Sequence, residues 1–213
     1  MRKLCAERSA LNLGRKLRLG LWQVKIMIGW AFCGSYCTVD KAIAELDLIK
    51  RRDNKEILPI FSDNFQKTDT RFGKATEKIE EIERICERKG VCTIVGAEPL
   101  GPKVPLEALI IAPCTGNTLA KLASGISDTP VTMAAKAHLR SARPLIIALS
   151  TNDALSANLG NLATMLSRKN VYIVPLGQDD AKAKPNSLSC DFSKIGETLK
   201  NALEGKQIQP LLV

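Results

Sequence analysis

Ile110-Ile111-Ala112-Pro113-Cys114-Thr115-Gly116-Asn117-Thr118-Leu119-Ala120-Lys121-Leu122 is an apolar run that stops at a proline, passes through small hydrogen-bonding residues and resumes with leucines at helical spacing. The stretch reads as a buried strand over residues 108–112, a ligand-binding turn and a helix capped by Asn117 or Thr118. Small residues let the backbone approach a ligand, and the unpaired N–H groups of a first helical turn attract anions. An ordinary capped strand-to-helix loop has the same pattern, so the reading depends on what the rest of the chain brings beside it.

Two further turns repeat the motif. An apolar strand over residues 26–32 leads into Cys33-Gly34-Ser35-Tyr36-Cys37-Thr38 and a helix over 39–50, with Ile43, Leu46 and Ile49 on one face. A strand over 144–149 leads into Ser150-Thr151-Asn152-Asp153 and a helix over 155–168. The first turn has no G-x-G-x-x-G, which argues against a dinucleotide grip, whereas Gly34-Ser35 suits one phosphate group.

Between these units the pattern predicts a strand over 56–61 interrupted by Pro59, a polar segment over 62–73 whose one guanidinium is Arg71, a helix over 74–89 stopped by Gly90, and a short strand over 91–95. Pro130 opens a helix running to residue 140, which carries Lys136 and the single histidine, His138, read as a surface residue. A strand over 171–174, a polar loop over 176–187 and a last helix over 191–203, closed by Gly205, complete the chain. Strands alternating with helices predict an α/β fold: a doubly wound parallel sheet in three α/β/α layers. Ligands bind such sheets at the carboxyl ends of the strands, so the turns after Phe32, Ala112 and Leu149 are expected to form one site.

The 213 residues carry a net charge of +9, but residues 1–26 hold seven Lys or Arg and one acid and so supply +6 of it. The rest is mildly basic, with no basic stripe interleaved with aromatics, which argues against nucleic-acid binding. Seven scattered cysteines with no C-x-x-C pair fit reduced thiols, not a disulfide frame or a metal site, and no apolar run is long enough for a membrane span. Residues 1–26 have the composition of a targeting or surface-binding helix, or of a start upstream of the true one. We read them as a poorly ordered or adventitious extension, with residues 27–213 as a single domain.

Gly34-Ser35, Ala112-Pro113-Cys114-Thr115-Gly116-Asn117-Thr118 and Pro130 with Met133 together resemble the flavoprotein family that includes the cysteine-decarboxylase-type enzymes, whose middle motif is Pro-x-Ser/Thr-x-Asn-Thr. Within it, residues 64–73, Met133-Ala134-Ala135-Lys136, Ser150-Thr151-Asn152-Asp153-Ala154-Leu155, Gly177-Gln178-Asp179 and Leu203-Glu204-Gly205-Lys206-Gln207 are similar to the dipicolinate synthase B subunits. The likeness runs from about Ile28 to Val213.

The resemblance implies a flavodoxin-like (Rossmann-like) fold, FMN as cofactor, a homo-oligomer and a partner A subunit that uses NADP or NAD. It implies a small dicarboxylate substrate, dihydrodipicolinate, oxidised to dipicolinate in the cytoplasm of the mother cell of a spore-forming bacterium. By position it places Gly34, Ser35 and Ser62 at the flavin phosphate with Cys114, Thr115, Asn117 and Thr118 beside them, and Ser150, Thr151 and Asn152 at the ring system. Arg71 and Lys136 are the candidates for the substrate's two carboxylates, through charge-assisted hydrogen bonds.

Two departures qualify the transfer. Ala134 falls where related decarboxylases supply an Asn, which disfavours decarboxylation, and Tyr36 stands where a histidine is common, which removes a catalytic imidazole. Positioning groups without a strong base fit a subunit whose hydride acceptor resides on another chain. A non-catalytic flavin-binding or assembly subunit is the rival reading, with a flavin-dependent decarboxylase or prenyl transferase behind it.

Overall fold

The computed structural model describes residues 27–213, so the expected basic extension over residues 1–26 lies outside the described residues. Five strands, β1 (Met27–Phe32), β2 (Glu56–Phe61), β3 (Leu106–Cys114), β4 (Leu145–Thr151) and β5 (Val171–Ile173), pair in parallel in the order β2-β1-β3-β4-β5. Parallel neighbours require crossovers, and the helices provide them. They are α1 (Val39–Asp53), α2 (Asp63–Lys67), α3 (Ala75–Cys86), α4 (Ile94–Ala97), α5 (Gly116–Ala123), α6 (Pro130–Leu139), α7 (Leu159–Leu166) and α8 (Ile195–Leu203). Helices α1 and α8 pack on each other and on the sheet, while α5, α6 and α7 pack together. This is the doubly wound three-layer arrangement that the alternation predicts, in the flavodoxin-like form that the resemblance implies.

Because helices cover both faces, the central strands are apolar on both sides. Residues 108–114 of β3 and residues 145–150 of β4 are buried without a break. Trp30 is fully buried in β1, and its indole N–H donates to the Ala112 carbonyl at 3.1 Å, so the large ring packs without stranding its polar atom. Pro59 is tolerated because β2 is the edge strand. The outer side of that edge is covered: Val91 N–H donates to the Pro59 carbonyl, and Phe61 N–H to the Val91 carbonyl, both at 2.9 Å.

Several expectations are corrected. Strand β3 continues through Pro113 to Cys114. Helix α3 ends before Gly90, at Glu87 in the left-handed conformation (φ 54°). Gly90 serves a different need, since a Cβ there would overlap the Phe61 ring. Only Val91 of the expected strand over 91–95 forms a bridge, to Ile60, and the rest turns into α4. The helix expected from residue 155 begins at Leu159, after turns organised by Asp153.

The loop expected over 176–187 is flanked by two short strands, β6 (Leu176–Gly177) and β7 (Leu188–Cys190). They pair antiparallel with each other, and β7 pairs antiparallel with the end of β4, so the sheet is mixed at this border. His138 is fully buried, not on the surface. It shares the inward face of α6 with Pro130, Val131, Ala134, Ala135 and Ala137. Its Nε2–H donates to the Pro144 carbonyl at 2.9 Å, Nδ1 has no partner, and burial lowers its pKa below the ordinary value.

Candidate functional site

Helix α5 is capped by Thr115, not by Asn117 or Thr118. The Thr115 hydroxyl accepts from Thr118 N–H at 3.1 Å, and the Thr115 side chain lies 3.0 Å from Thr118 Oγ1. This leaves the N–H groups of Gly116 and Asn117 ahead of the helix's own hydrogen-bond ladder, pointing out of its positive end. Asn117 is exposed in that first turn.

The turn after β1 lies against this one. Cys33 N–H donates to the Pro113 carbonyl at 3.3 Å, and the Thr118 hydroxyl lies 3.3 Å from Cys33 Sγ. The turn after β4 joins them through Ser35, whose hydroxyl donates to the Ser150 carbonyl at 3.2 Å. A Cβ on Gly116 would come within 2.6–2.8 Å of Asn158 Nδ2, Thr151 Oγ1 and Asp153 Oδ1. The three polar turns are thus in mutual contact at the carboxyl edge of the sheet.

Outside them lies a cleft of about 550 Å³, within the range of small-molecule and cofactor sites. Of the residues singled out from sequence, Gly34, Ser62, Thr115, Asn117 and Thr118 line it. Ser62 also caps α2 by accepting from Phe65 N–H. Four others lie in the supporting structure: Ser35 and Ser150 bond to each other, the Thr151 hydroxyl donates to Asp153 Oδ1 at 2.6 Å, and Cys114 is fully buried. Asn152 is exposed on its turn.

Arg71 and Lys136 do not line the cleft. Arg71 is exposed with its guanidinium 4.9 Å from the Phe72 ring centroid, and Lys136 lines a different cleft between α5, α6 and α7. The reason for the second is helical phase. Thr129, the N-cap of α6, borders the site, but Lys136 lies seven residues on and faces the neighbouring helices.

Sequence reasoning passes over Tyr36, Asp63, Asn64, Thr68, Lys121, Asp128 and Thr129 as site residues, yet all of them line the cleft. Tyr36, which stands out in sequence only for the histidine it replaces, forms a fixed aromatic wall. Its hydroxyl donates to the Asn64 carbonyl at 2.7 Å, and its ring lies 7° from parallel with Phe65, which is itself 9° from parallel with Phe61. Lys121 is the cation of the cleft, and Asp128 holds it through both carboxylate oxygens at 2.9 Å. The legible signal for Lys121 is its place one turn beyond Asn117 on the same helix.

The buried thiols nearby are poor nucleophiles. Burial pushes Cys33 up to about 11 and raises Cys114 and Cys190 as well. No imidazole lines the cleft, and no group of His, Cys, Asp and Glu among the described residues is arranged to hold a metal ion. The arrangement is a set of amide and hydroxyl donors beside one paired lysine and an aromatic wall, suited to holding a planar anionic molecule.

Comparison with known proteins identifies the family and the fold. The sequence profile of the family described as Flavoprotein matches residues 23–198. The B subunit of dipicolinate synthase from Bacillus subtilis is 41% identical over 186 residues, which cover 87% of this chain and 92% of that one. The crystal structure of the corresponding dipicolinate synthase B subunit from Bacillus halodurans superposes with a TM-score of 0.79 at 39% identity, covering 88% of this chain and 96% of that one. An FMN-dependent cysteine decarboxylase, at 22% identity and a TM-score of 0.63 over 84% of this chain and 98% of its own, shares the fold.

Proposed function

Because the chain belongs to the Flavoprotein family, we propose that it binds FMN in the cleft at the carboxyl edge of the sheet and acts as the B-type subunit of a dipicolinate-forming oxidoreductase. The single observation that carries the reading is the convergence of the open first turn of α5 with Gly34 and Ser62 on one cleft of cofactor size. The residues present fit the cofactor: backbone and hydroxyl donors suit a phosphate, and the Tyr36 ring suits a planar ring system. When bound, FMN supplies two-electron redox chemistry.

The chain's own residues bind and orient. The Asn117 amide and the Ser62 hydroxyl, both at the cleft, would hold the phosphate, with Gly34 leaving room for it. Lys121 holds one substrate carboxylate, with Asp128 fixing its position. Oxidation of dihydrodipicolinate to dipicolinate removes two electrons and two hydrogens. The two electrons with one hydrogen would pass to NADP or NAD on the partner A subunit, directly or by way of FMN, and the other hydrogen would leave as a proton to solvent, which needs no strong base from this chain.

The test is dipicolinate formation, followed by ultraviolet absorbance, from dihydrodipicolinate and NADP with this chain, the A subunit, or both, with and without added FMN. Product that depends on both chains, is stimulated by FMN and is lost in Asn117→Ala supports the proposal. An equal rate from the A subunit alone refutes it. The absence of an imidazole from the cleft favours one second reading, a flavin-binding assembly subunit with no part in the chemistry. That reading predicts tight binding to the A subunit with turnover unaffected by Asn117→Ala.

A further inference from the structure

On the other side of the α5–α6 connection lies a second cleft, of about 430 Å³, between α5, α6 and α7. Ile126 and Leu139 form its accessible apolar floor, with Leu122 and the fully buried Met165 beneath them. Its cations are Lys136, Arg140 and Arg168, and its lining contains no acid. Among the described residues none of the three is paired with a carboxylate. Lys136 donates only to the Ser127 hydroxyl at 3.3 Å. Arg168 donates to the Leu122 and Ala123 carbonyls at 3.0 and 2.7 Å, and these bonds hold it as a wall at the carboxyl end of α5.

Charge without counter-charge, set around an apolar floor, is the combination that recognises an amphipathic anion. Elsewhere on this chain lysines and arginines commonly face a carboxylate, as Lys121 faces Asp128 and Lys78 faces Asp40. Lys136 lies on α6 and Arg140, four residues on, is its C-cap and keeps helical backbone angles, which puts their Cβ atoms about 5–6 Å apart. That spacing suits two carboxylates carried on one small ring. The accessible side chains of Ile126 and Leu139 suit the ring itself.

We propose that this cleft is a second ligand site, separate from the flavin cleft, for a small aromatic dicarboxylate. Lys136 and Arg140 hold the two carboxylates, and the ring rests on Ile126 and Leu139, above the buried Met165. The two sites share a wall. Ser127 and Thr132 face the second cleft, while Asp128 and Thr129 face the first. The inference does not depend on the flavin reading, because it uses a different set of residues.

The probe is isophthalate, titrated into the full-length chain by calorimetry and followed by the methyl resonance of Met165, assigned with Met165→Leu. One site per chain is expected, at least tenfold tighter than for benzoate and at least tenfold weakened in Lys136→Ala/Arg140→Ala. The Met165 methyl should shift and that of Met27 should not. Because Lys136 and Arg140 are exposed, the double variant should melt with the parent, and the Met165 shift tests the site without any substitution in the cation pair. Binding should be unchanged in Asn117→Ala, which separates this site from the flavin cleft. Absence of saturation at millimolar isophthalate, an unmoved Met165 methyl, survival of binding in the double variant, or loss of it in Asn117→Ala would each overturn the proposal. So would competition between isophthalate and self-association, which would make the cleft a contact between copies.

Discussion

Replacing Gly116 with alanine adds one methyl group where three turns meet. The new Cβ would lie 2.6 Å from Asn158 Nδ2, 2.7 Å from Thr151 Oγ1 and 2.8 Å from Asp153 Oδ1, all closer than ordinary contact. None of these atoms is a free side-chain end. Asp153 accepts from Thr151 at 2.6 Å through one oxygen and from Asn158 at 2.9 Å through the other, while Asn158 accepts from Asn161 at 2.9 Å. Overpacking alone costs about 1–3 kcal/mol. Distorting a hydrogen bond to a carboxylate forfeits part of a contribution of about 1.5–3 kcal/mol. A total near 3 kcal/mol is expected, which for a chain of this size lowers Tm by roughly 6–12 °C. Differential scanning fluorimetry with and without FMN reads both consequences: a lower melting point and weaker stabilisation by the cofactor, because α5 must move away from β4. Adding Asn158→Ala should recover part of the loss by opening space. A Gly116→Ala protein that melts within about 1 °C of the parent and binds FMN equally well would refute the argument that the turns after β3 and β4 are held in register by this contact.

Three further outcomes follow from the described groups. Burial keeps His138 neutral in the fold while the unfolded chain titrates near its ordinary value, so its contribution is complete above about pH 6.5 and declines as the pH falls. Urea melts from pH 8 to pH 5 should show an excess acid slope of up to about 1.4 kcal/mol per pH unit, removed in His138→Gln. Lys121→Met should cost little stability, about 0–1 kcal/mol for a partly exposed pair, but weaken FMN or dicarboxylate binding at least tenfold by equilibrium titration. Among the described cysteines, Cys37 is the exposed one, whereas Cys33, pushed up to about 11, Cys86, pushed up to about 12, and the buried Cys114 and Cys190 are protected. Peptide mapping after brief alkylation at pH 8 should find Cys37 labelled first and the four buried thiols only in denaturant.

The fold was legible because its signals are local. Uninterrupted apolar runs such as residues 108–112 mean strands covered on both faces, and their alternation with amphipathic segments leaves the doubly wound sheet as the economical topology. The hairpin of β6 and β7 was hidden because two- and three-residue strands carry no readable period. Gly90 reads as a helix stop because a glycine needed for close approach to an aromatic ring looks, in sequence, like one needed for a left-handed turn. His138 escapes a sequence reading because its burial depends on the helical phase of α6 against the sheet and on an acceptor, Pro144, six residues away. The candidate site divides the same way. Thr115, Asn117 and Thr118 were legible from the turn they share, whereas the placing of Lys136 in another cleft and of Lys121 in this one is a property of helix packing that no single segment encodes.

The covering of β2 by Val91 has a consequence for the life of the chain before it is folded. An uncovered parallel edge is a template on which a second molecule can add a strand and begin a fibre. Here the defence is divided. Pro59 removes one donor outright, and a single residue beyond the end of α3 occupies the Pro59 carbonyl and the Phe61 amide. The guard is not itself a strand and is attached by the left-handed turn at Glu87 and the tight passage of Gly90 over Phe61. A substitution at Val91 that loosens this corner should appear first as a lower yield of soluble protein, because it exposes the sticky border of the sheet while the chain is still young.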